Sequence, residues 1–220
     1  RDVLELHTKQ IDEPAVSTDY KLVYEDEDIL VIDKPGNLPM HPAGTYYFNT
    51  LTYLLSQDER WRKVQLYCVH RLDKETSGIV LFAKHKTAAQ HLTRQFEQRT
   101  VKKIYVGVVR GAFKQNTGVY SQRLLRTTCG QIRDFMVGDA RGKEAITGYE
   151  VLMTSVDKKY SLLVLTPFTG RRHQLRAHLF HQGHGIAAVG GMALALSTVA
   201  ILEFTAMFVL VDRYVVKISF

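Results

Sequence analysis

Short runs of β-forming residues set the tightest limit on the fold of this chain: Leu22–Glu25, Ile29–Ile32, Ile79–Ala83, Ile104–Val109, Thr147–Leu152 and Leu162–Leu165. Clusters of Gly, Asn, Asp and Lys separate them, and helical patterns do not alternate with them at the regular spacing of a βαβ chain. The order predicts an α+β fold with a mixed, mostly antiparallel sheet and flanking helices. The acidic Asp26-Glu27-Asp28 between the first two runs predicts a hairpin. Lys34-Pro35-Gly36-Asn37-Leu38-Pro39-Met40-His41-Pro42 carries three prolines and a glycine, so it must be a loop with φ fixed at several points.

Helices are expected at three places. One is short, Leu51 to Leu55. A second should run to about Arg99, because Thr87 precedes Ala88, Leu92 and Phe96 at helical spacing and forms a capping-box pattern with Gln90. A third is expected from Gly170 to about Gln182, capped by Thr169 and closed by Gly183. In it Leu175 and Leu179 face the core, while Arg172 and Arg176, one turn apart, line a neighbouring edge.

At 220 residues with 45% hydrophobic content the chain can bury one sizeable core, so a single catalytic domain, 1–220, is expected. Lys and Arg number 29 against 22 for Asp and Glu, a formal charge of +7 that favours a polyanionic partner. Cys68 and Cys129 are far apart and form no C-x-x-C pair, so neither a disulfide framework nor a thiolate zinc site is indicated, which fits the cytoplasm. The chain begins at Arg1 without a methionine or a basic-then-apolar leader, so no signal peptide is expected and the N-terminus is left open to truncation. His178, His181 and His184 fall at equal spacings of three, which rotates them around a helix, and no carboxylate or cysteine accompanies them; a metal site is not expected.

Asp73 has the makings of a presented carboxylate. It lies between Arg71 and Lys74 and just ahead of Thr76-Ser77-Gly78, which permits a tight turn into the strand Ile79–Ala83. By itself an aspartate in such a place commonly only caps a turn. Its setting is the ordered set Lys34-Pro35-Gly36 with His41-Pro42, then His70-Arg71-Leu72-Asp73-Lys74-Glu75-Thr76-Ser77-Gly78, then Lys103-Ile104-Tyr105, then Gly170-Arg171-Arg172-His173-Gln174-Leu175-Arg176-Ala177-His178. This set resembles the RluA family of pseudouridine synthases over roughly Leu22 to Gly183.

The resemblance implies an isomerase of uridine in ribosomal or transfer RNA, without a cofactor, acting as a monomer and without stable membrane association. It implies that Asp73 is the catalytic carboxylate, that Tyr105 packs on the target base and assists proton removal from the ribose, and that Arg176 pairs with Asp73. Arg71 would occupy the space that a flipped nucleotide leaves, and His70, Arg171, Arg172 and Lys103 join it as RNA-binding residues. These assignments agree with elementary chemistry: a nearby guanidinium keeps a carboxylate ionised and its planar fork orients it. A stacked uridine must leave its helix to expose the glycosidic bond, and an aromatic face replaces the lost stacking.

The chain departs from the family beyond His184. A Pro-Ile/Leu-x-Gly-Asp segment and a following Tyr-Gly are replaced by Gly185-Ile186-Ala187-Ala188-Val189-Gly190-Gly191, opening a divergent tail, 185–220, after the family-like core, 21–184, and the extension, 1–20. From Ile186 to Val211 only Glu203 is charged. A carboxylate at mid-bilayer costs about 2.5 to 3.5 kcal/mol on insertion scales, so buried strands or a helix are favoured over a membrane span. A last strand is expected at Tyr214–Phe220. No S4-type RNA-binding module is expected ahead of Leu22. The competing readings are a non-catalytic RNA-binding protein on the same scaffold, a membrane-associated protein, and a glycosidase that would need Glu75 as its second acid.

Overall fold

The computed structural model describes residues 12–129 and 132–187. The expected membrane-or-core alternatives for the tail and the strand at Tyr214–Phe220 lie outside the described residues, apart from Ile186 and Ala187. The chain divides into two compact units, Arg1–Thr100 and Val101–Phe220.

In the first unit, β1 (Lys21–Glu25) and β2 (Ile29–Lys34) form the expected hairpin. Its turn is held by Asp26, whose carboxylate accepts from the backbone N–H groups of Asp28 and Ile29 at 2.9 and 2.8 Å. Burial opposes ionisation of Asp26, but these amide donors outweigh it and keep the carboxyl below its usual range. After α1 (Leu51–Gln57), β3 (Tyr67–Cys68) and β4 (Gly78–Ala83) complete a sheet of order β1-β2-β4-β3. Leu30, Ile32, Val80 and Phe82 from its central strands, Leu51 and Leu55 from α1 and the lone tryptophan, Trp61, are almost wholly buried.

α2 (Lys86–Glu97) starts ahead of the expected capping box. Its N-cap is His85, whose Nδ1 accepts from Ala88 N–H at 3.3 Å while Nε2 meets the Asp28 carboxylate at 2.6 Å. Thr87 therefore sits inside the first turn and cannot cap. Ala88 and Leu92 are buried, as their spacing predicts.

The second unit is a five-stranded sheet of order β5-β9-β8-β6-β7 with α3 on one face. It comprises β5 (Tyr105–Arg110), β6 (Thr117–Cys129), β7 (Ile132–Gly138), β8 (Lys143–Thr154), β9 (Tyr160–Pro167) and α3 (Gln174–His181). Every pairing between the described strands of either sheet is antiparallel. The α+β architecture is the one expected; the strands are shared between two sheets, and the long β6–β7 hairpin has no counterpart among the expected runs. Val109, Leu163, Leu165 and Leu179 make one core cluster, and Leu124, Met136, Ala145 and Ala177 another, both joining α3 to the sheet. Leu179→Ala should remove about 2–5 kcal/mol of stability, read as a lower urea midpoint by circular dichroism, because a buried leucine loses its contacts and leaves a cavity.

Candidate active site

Asp73 lies on the loop between β3 and β4. Thr76 N–H donates to Asp73 O at 3.1 Å and closes a turn, and buried Leu72 anchors the loop from inside. Arg71 is exposed and Asp73 half-buried. Neighbouring His70 is bound into the scaffold: its Nε2 accepts from Leu81 N–H at 2.9 Å, and its ring stacks on Phe96 at 4.9 Å.

Lys34 underpins this loop, a role that its sequence neighbourhood did not disclose. The side chain has no exposed surface, and its ammonium donates to the carbonyls of Pro35 and Leu38, both at 2.8 Å, and of Lys74 at 3.2 Å. Leu38 N–H donates to the same Lys74 carbonyl at 3.1 Å. The proline-rich loop and the Asp73 turn are thus tied through one buried cation. Burial pulls its pKa down to about 8 against the opposing pull of the Glu75 and Asp73 carboxylates. Gly36 keeps the crossing close: a Cβ there would stand 3.2 Å from Glu75 O, tighter than ordinary van der Waals contact. A usable signal existed, since Lys34 occupies an inward position in the alternation Leu30, Ile32, Lys34.

In the second unit Tyr105 opens β5 and packs, half-buried, against the Val109–Leu163–Leu165–Leu179 cluster. Arg176 is an exposed residue of α3. Arg172 is exposed too, but it precedes the helix, so the two arginines are not one turn apart on it as expected. The helix begins at Gln174, not Gly170, with His173 at its N-cap in the left-handed region, φ 50°.

Gln174 explains the late start. Its amide oxygen accepts from the Thr169 hydroxyl at 2.7 Å and from Arg171 N–H at 2.9 Å, and its amide nitrogen donates to Ile146 O at 3.0 Å and Thr147 Oγ1 at 2.9 Å. Thr169 also accepts from Ile146 N–H at 2.9 Å, so its hydroxyl serves β8 and Gln174 instead of capping the helix. Arg171 Nε donates to Glu144 O at 2.9 Å, and Lys103 Nζ donates to Thr169 O at 3.4 Å, which gathers Lys103, Arg171 and Arg172 around one loop. Gln174→Leu should cost about 2–4 kcal/mol, seen as a lower urea midpoint, because the buried Thr169 hydroxyl and the Arg171 N–H lose their acceptor and Thr147 Oγ1 loses a donor, while Ile146 O keeps Phe168 N–H. His178, His181 and His184 direct their Nδ1 atoms to Thr147 Oγ1, Gln122 Oε1 and Arg110 O respectively, three separate partners.

The chain matches the family model described as RNA pseudouridylate synthase over residues 28–181. It is 32% identical over 169 residues to ribosomal large subunit pseudouridine synthase C of Vibrio parahaemolyticus, an alignment covering 77% of this chain and 51% of that protein. It is 33% identical over 192 residues to the tRNA pseudouridine(31) synthase of Saccharomyces cerevisiae, covering 80% of this chain and 46% of the relative. The chain thus spans about half the length of these relatives. The structure of human RNA pseudouridylate synthase domain containing 1 superposes with a TM-score of 0.67 at 28% identity, over 79% of this chain and 69% of that one. The chain belongs to the RNA pseudouridylate synthase family, as its RluA-type motifs led one to expect. The match includes the positions of Asp73, Tyr105 and Arg176. The departing tail begins by adding to the edge of β5, where Arg110 N–H donates to Gly185 O at 3.0 Å and Ala187 N–H to Val108 O at 3.2 Å.

Among the described residues no helix is long and apolar enough to cross a membrane.

Proposed function

We propose that the protein converts uridine to pseudouridine in ribosomal or transfer RNA, with Asp73 as the catalytic carboxylate. The observation that carries this reading is the family match across residues 28–181, within which all four motif segments fall. The relatives' names supply the substrate class, since they are synthases of ribosomal and transfer RNA. Action in the cytoplasm is part of this proposal and rests on the sparse, unpaired spacing of Cys68 and Cys129 in the sequence.

In this reaction the bond from the ribose to the uracil nitrogen breaks, the base turns, and a bond from the ribose to carbon 5 of the ring replaces it. The carbon 5 proton leaves and the released ring nitrogen gains one, so atoms balance without redox chemistry. Asp73 must be ionised to act on the ribose, and a loop held by backbone bonds can present it without prior rearrangement. Arg176 serves as its guanidinium partner. Tyr105 supplies the flat face on which the flipped uracil stacks, and assists proton removal from the ribose. Arg71 and His70 border the Asp73 turn, with Arg71 entering the place that the base vacates. Lys103, Arg171 and Arg172 bind phosphates, so affinity for RNA should fall with rising salt.

RNA labelled with tritium at carbon 5 of uridine tests the reaction directly. Release of tritium to water on incubation is the expected result, and full retention on ribosomal and transfer RNA alike would refute the proposal.

A further inference from the structure

A pocket of about 420 Å³ lies between β6, β8 and the C-terminal end of α3, and none of its lining residues is charged. Tyr120 and Tyr149 form one wall of it as a stacked pair, 4.8 Å between ring centroids with 21° between their planes. Gly118 makes this possible, because a Cβ there would stand 2.5 Å from the Tyr149 ring. Gln115 and Gln182 bring amides that both donate and accept. His178 lines the same pocket while being 1% exposed.

The hydrogen-bond network fixes how His178 meets this space. Thr147 Oγ1 accepts from Gln174, and assigning its single hydrogen to His178 Nδ1, at 2.9 Å, satisfies both buried groups. His178 Nδ1 is then the acceptor and Nε2 carries the ring hydrogen. Among the described residues that buried Nε2 has no hydrogen-bond partner. A buried N–H calls for an acceptor. Phosphate, carboxylate or ammonium ligands would find no countercharge here, whereas a neutral planar ring with a carbonyl beside a ring N–H matches the tyrosine wall, the His178 donor and the glutamine amides together.

The geometry points to a nucleobase site: the pocket holds one unpaired uracil or guanine ring, whose carbonyl oxygen accepts from His178 Nε2–H. His178 stands two residues from Arg176, roughly 200° around the helix, so the pocket is on a different face from the arginine assigned to catalysis. That the ring belongs to an RNA strand rests on the proposed reaction. The pocket would then grip a base of the substrate other than the uridine that reacts, and add to selection of the RNA.

Nitrogen-detected NMR of the His178 ring in the full chain, titrated with uridine, guanosine, N3-methyluridine, adenosine and ribose 5-phosphate, tests this. Uridine and guanosine should shift the Nε2 signal, and a short oligouridine should do so at lower concentration than free uridine. Adenosine and ribose 5-phosphate should leave the signal unmoved, and N3-methyluridine, which keeps the carbonyls but lacks the ring N–H, should shift it only at higher concentration than uridine. His178→Leu should weaken oligouridine binding about 10-fold, and His178→Gln, which keeps an N–H at similar reach, should restore it. Absence of a shift with every nucleoside, as when another part of the chain already satisfies the donor, would overturn the site; so would an equal shift with ribose 5-phosphate. If His178→Leu fails to fold, the titration of the unaltered chain still decides. Pseudouridine formation measured on the same preparation keeps the two claims apart: pseudouridine without a shift removes this site alone, and a shift without pseudouridine removes the reaction alone.

Discussion

Lys34→Met is expected to destabilise the first unit by roughly 3 kcal/mol, because methionine fills much of the lysine's volume but donates nothing. The Pro35 and Leu38 carbonyls would lose their ammonium donor inside the protein, while Lys74 O would keep Leu38 N–H as a partner. Relief from burying a charge offsets part of the loss, which is why the estimate stays well below the sum of three broken charged hydrogen bonds. Trp61, the only tryptophan, lies buried in this unit and reports its unfolding by fluorescence. The urea midpoint should fall by about 1–3 M at ordinary denaturant slopes. Lys74→Met is the contrast. Its ammonium is partly exposed and donates to the Tyr46 hydroxyl at 2.9 Å, so its loss should cost less than about 1 kcal/mol. Equal effects from the two substitutions would show that the loop does not depend on the buried cation.

Asp73→Asn is expected to lower pseudouridine formation by on the order of a thousandfold or more, because the amide keeps the shape of the carboxylate but can neither attack the ribose nor accept its proton. Binding of RNA should stay within about twofold, since the proposed phosphate contacts come from Arg171, Arg172 and Lys103. The turn itself should persist, as it is closed by the Asp73 carbonyl, which asparagine retains. Loss of binding in parallel with activity would recast Asp73 as a residue that shapes the surface.

The sequence disclosed those parts of the fold where burial follows a simple period. Ile29–Ile32 and Ile79–Ala83 are continuous β-branched and apolar runs, and they pair with each other in the centre of the first sheet. Leu175 and Leu179 fall one turn apart and pack on one core cluster. The β6–β7 hairpin escaped because β6 spends inward positions on Tyr120 and Gln122, which serve a polar pocket and a bond to His181. Both missed helix starts have one cause. A side chain that rarely caps, His85, captured the Ala88 N–H in the first turn of α2, and a buried glutamine took the hydroxyl expected to cap α3. At the candidate site, the Asp73 turn was legible from Thr76-Ser77-Gly78, and the ordered motifs from residue types alone. Lys34 was not, because a lysine read one residue at a time is expected at the surface, and only its place in the strand's alternation assigns it inward.

Pseudouridine mapping on unmodified ribosomal and transfer RNA transcripts, after incubation with the purified protein, tests the central claim most directly. Carbon-linked nucleotides should appear at a small set of uridines with the unaltered chain and at none with Asp73→Asn. No new pseudouridine on any transcript, or the same map from both proteins, would contradict the account.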